Sequence, residues 1–145
     1  MASAHFYGLF FTSLGNKQID LNSDTFKVML TTDSYTPDQN ADQYVSDVTN
    51  EISGTGYTTG GVSIGSLTMA YNTTTNVWSI DTDTDAEWTG SSITARYAVL
   101  YDSTPGTDET NPLVGYVDFG DDVTTSSSTL QVNWSAAGIG TVKVA

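Results

Sequence analysis

Apolar and polar residues alternate with a period of two along several stretches of the chain. In residues 26–32, Phe26, Val28 and Leu30 fall on one face of an extended backbone, while the residues between them fall on the other. This pattern is typical of a strand with one buried face. Residues 61–71 follow the same rule. Further strands are predicted at residues 77–80, 94–101, 113–119, 130–134 and 139–144.

Two features organise these strands. The polar turn Asn72–Asn76 separates two strand signals and predicts a hairpin, and Gly65 within the preceding strand predicts a bulge. Residues 94–101 are apolar on both faces apart from Arg96. A strand without a polar face is expected at the centre of a sheet that is covered on both sides.

Helical patterning is confined to the start of the chain. Phe6, Leu9, Phe10 and Leu14 recur near helical spacing, so a helix is predicted over residues 4–14, ended by Gly15. Residues 1–15 therefore form either a short helix or an N-terminal arm. Residues 44–52 leave room for a single helical turn.

The number and spacing of the strands define the expected fold. Six or seven short strands separated by turn residues predict a single domain over residues 1–145, without a linker or an internal repeat. The predicted class is a mainly β, antiparallel sandwich, Ig-like or jelly-roll-like, with at most one short N-terminal helix. A small barrel is the nearest alternative. The predicted core consists of Phe26, Val28, Leu30, Trp78, Val99, Val117, Val132 and Trp134.

Composition excludes several classes of function. The 145 residues carry 4 Lys+Arg and 17 Asp+Glu, a formal net charge of −13, which disfavours binding to nucleic acid. The chain has no cysteine, and its polar residues are dominated by 24 threonines and 16 serines. Apolar runs are too short to span a membrane, and residues 1–11 lack the cationic region of a secretory signal. The protein is therefore expected to be made in a cytoplasm.

Alternating carboxylates at Asp81, Asp83 and Asp85 form a weak candidate for a calcium site. Oxygen ligands at alternate positions suit a hard cation, but Ala86 occupies the position where an EF-hand loop requires glycine. The alternative interpretation is a solvated turn whose charge prevents edge pairing.

No motif indicates an enzyme. A Ser–His–Asp triad would depend on His5, the single histidine, and no serine has a nucleophile-elbow sequence around it. The glycines at residues 54–61 are not followed by the Lys-Ser/Thr of a phosphate-binding loop. We therefore expect no catalytic residues and no cofactor.

Arg96 is a cation within the most apolar predicted strand. A buried arginine needs a carboxylate partner, for which Asp118 and Glu51 are the candidates. The alternative is an arginine at the centre of a subunit interface. The tryptophans, including Trp88, are expected in the core.

Several segments together resemble a family of small proteins encoded among the virion genes of tailed bacteriophages. The resemblance follows the chain in order, and residues 51–61 and 88–101 are its most specific parts. The matching segments are residues 19–32, 35–37, 48–61, 86–101, 112–120 and 132–139.

The resemblance implies a non-enzymatic structural role, most simply that of a capsid decoration or cement protein on the head surface. It implies the major capsid protein as partner, self-association as a homotrimer, and location in the virion. Two alternatives stay open. One is a head-fibre or tail module that binds host glycans through exposed tyrosines and Trp88, and the other is a tail or neck component.

The apolar N-terminal segment, residues 1–11, is the candidate contact. Its aromatic and aliphatic side chains either meet a partner or cap one end of the sandwich. The interface candidates are Phe6, Tyr7, Leu9, Phe10, Phe11 and Arg96.

Overall fold

The computed structural model describes residues 2–144, which fold into ten strands, one α-helix and one 3-10 turn. Met1 of the predicted arm and Ala145 of the predicted domain lie outside the described residues. The elements are β1 (Ser3–Phe6), α1 (Gly8–Gly15), β2 (Phe26–Thr31), the 3-10 turn (Val45–Asp47), β3 (Val62–Gly65), β4 (Thr68–Asn72), β5 (Val77–Asp81), β6 (Ala86–Ser91), β7 (Thr94–Asp102), β8 (Leu113–Thr124), β9 (Ser128–Val132) and β10 (Gly140–Lys143).

The strands form three antiparallel sheets. A central sheet has the order β1-β8-β7-β2-β3, and two smaller sheets have the orders β10-β5-β4 and β6-β9. The smaller sheets contribute Ile80, Trp88 and Leu130 to a core that they share with one face of the central sheet. The chain is thus mainly β with a sandwich-like arrangement and one short N-terminal helix, as predicted.

The other face of the central sheet is also buried. Tyr35 and Val45, from the long connection after β2, pack there on Met29 and Val99. Because of this cover, both faces of β2 are enclosed: Met29 and Thr31 are as buried as the predicted inward residues, and Lys27 is partly buried. The prediction of one buried face for β2 is therefore wrong, whereas the prediction for β7 as a central, doubly covered strand is confirmed.

The N-terminal segment differs from the predicted helix over residues 4–14. Its first part is strand β1, which pairs with β8 in the register Ala4 opposite Val117. The helix begins only at Gly8 and ends at Gly15. Two residues beyond its end, Lys17 has a positive φ of 59°. Sheet pairing with a distant strand outweighs the helical spacing of the first residues.

At Gly65 the pairing of β3 with β2 is irregular, in agreement with the predicted bulge: Phe26 lies opposite Gly65 and Lys27 opposite Ser63, so the register skips Ile64. The structure also divides the predicted strand over residues 61–71 into two strands at this point. β3 joins the central sheet and β4 joins a smaller one, so the chain changes sheets after Gly65, whose φ is 74°. The predicted hairpin across Asn72–Asn76 is confirmed as β4 and β5. Strand β6 was not predicted, because its threonine, glycine and acidic residues hide the burial of Ala86 and Trp88.

Most of the predicted core residues are buried. Trp78, Val117 and Trp134 are partly exposed, and the tryptophan that reaches the centre of the core is Trp88, 2% exposed. The predicted core residues that are fully enclosed are Phe26, Val28, Leu30, Val99 and Val132.

Candidate interaction surface

The N-terminal segment presents little surface to a partner. Tyr7 and Phe10 are completely buried. The Tyr7 and Tyr35 hydroxyls share a hydrogen bond of 2.9 Å, and the Tyr35 hydroxyl donates to Asp42 at 2.7 Å. Burial leaves Tyr7 and Phe10 no face with which to contact another protein.

The other members of the segment pack mainly on each other. The Phe6 ring lies 5.4 Å from the Phe10 ring and 5.5 Å from the Phe11 ring, centroid to centroid. Phe6 and Leu9 are partly buried, and Phe11 is 42% exposed. This arrangement matches the alternative in which the segment caps one end of the sandwich.

Arg96 forms the predicted ion pair with Asp118. Its Nε donates to Asp118 Oδ1 at 3.0 Å, and both side chains keep about a quarter of their surface exposed. The guanidinium, together with the Gly120 N–H, lowers the pKa of the Asp118 carboxyl. The expectation of burial is wrong, because β8 carries Asp118 at the partly open side of the sheet.

Glu51, the other carboxylate considered for Arg96, organises a loop. Its Oε1 accepts hydrogen bonds from the Tyr57 hydroxyl at 2.7 Å and from the Gly60 N–H at 2.6 Å. The Tyr57 hydroxyl in turn accepts from the N–H of Leu30 in β2. Burial, followed by the bond to Glu51, raises the pKa of Tyr57. This loop fastens to the central sheet, which is a structural role.

Two of the three carboxylates of the calcium candidate accept hydrogen bonds, and their partners differ. Asp81 accepts from the N–H of Thr82, and Asp85 Oδ1 accepts from the N–H of Trp134 at 3.2 Å. Within residues 2–144, no three acidic or histidine side chains form a group suited to hold a metal ion. The structure therefore does not bring Asp81, Asp83 and Asp85 together as a ligand set.

The nearest approach to a catalytic arrangement is at β1. His5 Nε2 lies 3.0 Å from the Ser3 hydroxyl, and its ring stacks on Tyr116. Asp118 is occupied by Arg96 and the Gly120 N–H, and in the described chain no carboxylate hydrogen-bonds His5. Both Ser3 and His5 are exposed. An adjacent cavity of about 290 Å³ is mainly apolar, lined by Phe6, Leu100, Val117, Trp134 and Ile139 among others.

A buried carboxyl lies at the end of β7. Asp102 has no exposed surface, and its Oδ1 accepts from the N–H of Thr104 at 2.8 Å. Within residues 2–144 no donor hydrogen-bonds its buried Oδ2, and the Asp24 carboxyl is adjacent. Burial is the largest effect on this group and raises the pKa of Asp102 to about 6, with a contribution from Asp24. Asp102 therefore keeps its proton to a higher pH than an ordinary carboxyl.

An open apolar surface lies along the β4 edge of the β10-β5-β4 sheet. All five residues of β4 are exposed, with Met69 at 37% and Tyr71 at 39%. Tyr71 lies opposite Trp78 of β5, and their ring centroids are 5.0 Å apart. Val142 of β10 lies opposite Trp78 on the other side, so these side chains share one face. The buried end of that face is Ile80.

The same part of the chain carries no charge. Between Glu51 and Asp81 the sequence contains no Asp, Glu, Lys, Arg or His, although the molecule as a whole has a net charge of −13. This uncharged segment, residues 52–80, includes β3, β4 and most of β5. The spacing of charged residues along the sequence identifies this segment. Catalytic and metal-binding motifs do not, because the segment contains none of the charged residues on which such motifs depend.

Comparison of the chain with protein-family models, with curated proteins and with solved structures returned no match in any of the three. Across residues 2–144, no helix has the length and apolar character needed to cross a membrane.

Proposed function

We propose that this protein is a structural component of a tailed-phage virion, and specifically a decoration or cement protein that binds the outer surface of the head. The proposal starts from the resemblance of residues 51–61 and 88–101 to virion proteins. The structure adds the physical properties that a repeated surface subunit requires, and the proposed partner is the major capsid protein.

The observation that carries the proposal is a contrast in charge. The molecule as a whole is acidic, whereas the uncharged segment, residues 52–80, carries no charge and is partly apolar. A net charge of −13 keeps separate copies apart and disfavours adhesion to nucleic acid. Close packing on a lattice then requires contacts where charge is absent. The uncharged segment places Met69, Tyr71 and Trp78 on such a surface.

The local roles of the two most specific segments agree with a structural protein. Glu51, Tyr57 and Gly60 fasten a loop to the central sheet, and Trp88 fills the core. Neither segment presents a convergent set of acid, base and nucleophile. Their residues serve the fold, which is what a particle protein without catalysis needs.

The glycan-binding alternative depends on exposed aromatic rings. Trp88, its proposed platform, is 2% exposed, and Tyr7 and Tyr35 are buried, so none of these rings can stack on a sugar. Tyr71 beside Trp78 is the aromatic pair that favours this alternative. A tail or neck position is the other alternative, and it shares the same fold requirements.

The test is to mix the purified protein with mature phage heads that lack it, and to image the heads by electron cryomicroscopy. We expect added density on the outer shell at lattice symmetry positions, and the proposed trimer predicts density at threefold positions. Heads of an unrelated phage serve as the control. Density confined to the tail or portal, or no binding, would overturn the decoration role, and projecting spikes would favour the fibre alternative.

A further inference from the structure

Strand β4 is an edge that lacks the usual protection against pairing. It contains no charged residue, no proline and no bulge, and within residues 2–144 no strand covers its outer side. By contrast, the pairing of β3 with β2 is interrupted by a register shift, and β10, at the opposite edge of the small sheet, carries Lys143. An exposed, regular edge without such devices is a template for another strand.

We propose that two copies of this chain pair antiparallel through β4, about a two-fold axis at Ala70. This register opposes the whole strand to its copy. Met69 then lies opposite Tyr71 of the second copy, and Tyr71 opposite its Met69, on one face of the joined sheet. Thr68 and Asn72 form the matching polar pairs. Each position meets a side chain of its own class, so the strand is self-complementary.

The charge distribution favours a second copy at this edge. Two molecules of net charge −13 repel each other over most of their surfaces, but the segment that contains β4 carries no charge from residue 52 to residue 80. The carboxylate next to β4 within its own sheet is Asp81, which lies opposite Thr68 at the end of the strand. Repulsion between the more distant carboxylates is screened by salt. Pairing through β4 therefore strengthens as ionic strength rises, the opposite of a contact built on salt bridges.

Pairing also brings the apolar side chains of the two copies side by side on one face of the joined sheet. The joined sheet has the order β10-β5-β4-β4-β5-β10, with Tyr71 and Trp78 of each copy on the same side. Contact of the Met69 thioether with a tyrosine ring is favourable in itself. The five-residue strand gives a small interface, so a modest affinity is expected.

The inference goes beyond the proposed function, because it concerns the isolated chain and requires no capsid. A trimer that also uses this contact would become a hexamer, whereas the contact alone gives a dimer. Failure to bind heads would overturn the decoration role and leave the β4 contact unaffected. Conversely, absence of the β4 contact would overturn the pairing of copies but not the decoration role, which the imaging of heads tests separately.

The first experiment measures molar mass by sedimentation as the concentration of the full chain is raised, in low and high salt. We expect the molar mass to rise from that of a monomer toward that of a dimer, and to rise at lower protein concentration in high salt. Tyr71→Glu should weaken the association roughly tenfold or more, since the new charge enters the interface twice. The matched control is Ser63→Glu, which adds the same charge at exposed Ser63 in edge strand β3. A chain that stays monomeric up to about 1 mM overturns the proposal.

The second experiment uses the absence of cysteine from the chain. In the proposed register the two Ala70 Cα atoms lie about 4.5–5.5 Å apart, within the range that a disulfide spans. Ala70→Cys should therefore form a disulfide-linked dimer on mild oxidation, much faster than Ser63→Cys. Equal rates for the two variants, or association that is unchanged by Tyr71→Glu, would show that copies do not meet at β4.

Discussion

The central sheet and the β10-β5-β4 sheet differ in how much of their apolar surface is buried. The inner strands β2 and β7 of the central sheet are buried on both faces, and β7 is enclosed from Ala98 to Asp102. The small sheet is buried at Ile80 but open at Met69 and Tyr71. Polar networks such as Glu51 with Tyr57 fasten loops to the first sheet, whereas the edge of the second has no covering strand within the described chain.

This difference separates stability from interaction. Enclosed apolar side chains and satisfied hydrogen bonds supply most of the folding free energy, so changes at the central sheet should unfold the protein. An exposed apolar edge adds little to the stability of the monomer, but it offers area to a partner. Substitutions in the two sheets should therefore divide into those that change the free energy of unfolding and those that change association.

The largest effect is expected at Gly61, at the end of the loop before β3, which lies against the backbone of β2. Its φ is 76°, and a Cβ at this position would lie 1.8 Å from the carbonyl oxygen of Val28. Gly61→Ala should lower the free energy of unfolding by roughly 3 kcal/mol or more, measured by urea denaturation. Gly65→Ala is the control, because Gly65 has a similar φ of 74° but open space around it. Its cost should be about 1 kcal/mol, from backbone strain alone. Equal losses for both variants would contradict the close contact.

The tryptophans provide the next comparison. Trp88 is fully enclosed between the sheets, Trp134 is partly buried against the core, and Trp78 belongs to the open face. Trp88→Ala should cost about 3–5 kcal/mol, which is typical of buried aromatic residues. Trp134→Ala should cost less, and Trp78→Ala least, in thermal or urea unfolding. A loss for Trp78→Ala as large as that for Trp88→Ala would show that the small sheet is no less essential to the fold.

Asp102 makes the stability of the central sheet depend on pH. Its folded pKa of about 6 lies above the ordinary value of 3.8, so ionisation of Asp102 opposes folding. The penalty is about 3 kcal/mol at pH 8 and shrinks as the pH falls through 6 toward 4, since 1.36 kcal/mol corresponds to one pKa unit.

The measurement is the difference in unfolding free energy between Asp102→Asn and the parent chain. Asparagine keeps an acceptor for the Thr104 N–H and can donate to Asp24, so the variant should be more stable at pH 8. Its advantage should decline toward pH 4, where folded Asp102 is protonated and the unfolded carboxyl, with its ordinary pKa of 3.8, is close to half protonated. A difference that does not vary with pH would mean that Asp102 is not the group that titrates.

The smallest effect is expected at Arg96. Its ion pair with Asp118 is partly exposed, and pairs of this kind contribute little to stability. Arg96→Ala should leave the melting temperature and the self-association nearly unchanged. A marked loss of association with an intact fold would revive the hypothesis that Arg96 is an interface residue.

Local sequence patterns predicted the parts of the fold that short-range rules determine. The apolar character of β7 identified a central strand, the turn after Asn72 identified a hairpin, and the charge of Arg96 required a carboxylate. Strand β1 and the division at Gly65 were missed, because both depend on pairing with strands far along the chain.

The candidate surface escaped prediction for the same reason. Whether Met69 and Tyr71 are exposed depends on which strand is outermost in its sheet, and alternation of residues does not determine the order of strands. Burial of Tyr7 and Phe10 likewise depends on the long connection after β2 and on the core of the sandwich. By contrast, the absence of charged residues between positions 52 and 80 follows directly from the sequence.

The most direct test of the division between a closed sheet and an open edge is amide hydrogen exchange of the full chain, measured in dilute and in concentrated solution at high salt. In dilute solution the amides of β7 should be strongly protected, and the outward amides of β4 should exchange rapidly. On concentration, β4 should become protected while the edge strand β3 stays unchanged. Exchange in β4 that is independent of concentration, or protection that appears in β3 instead, would contradict the account.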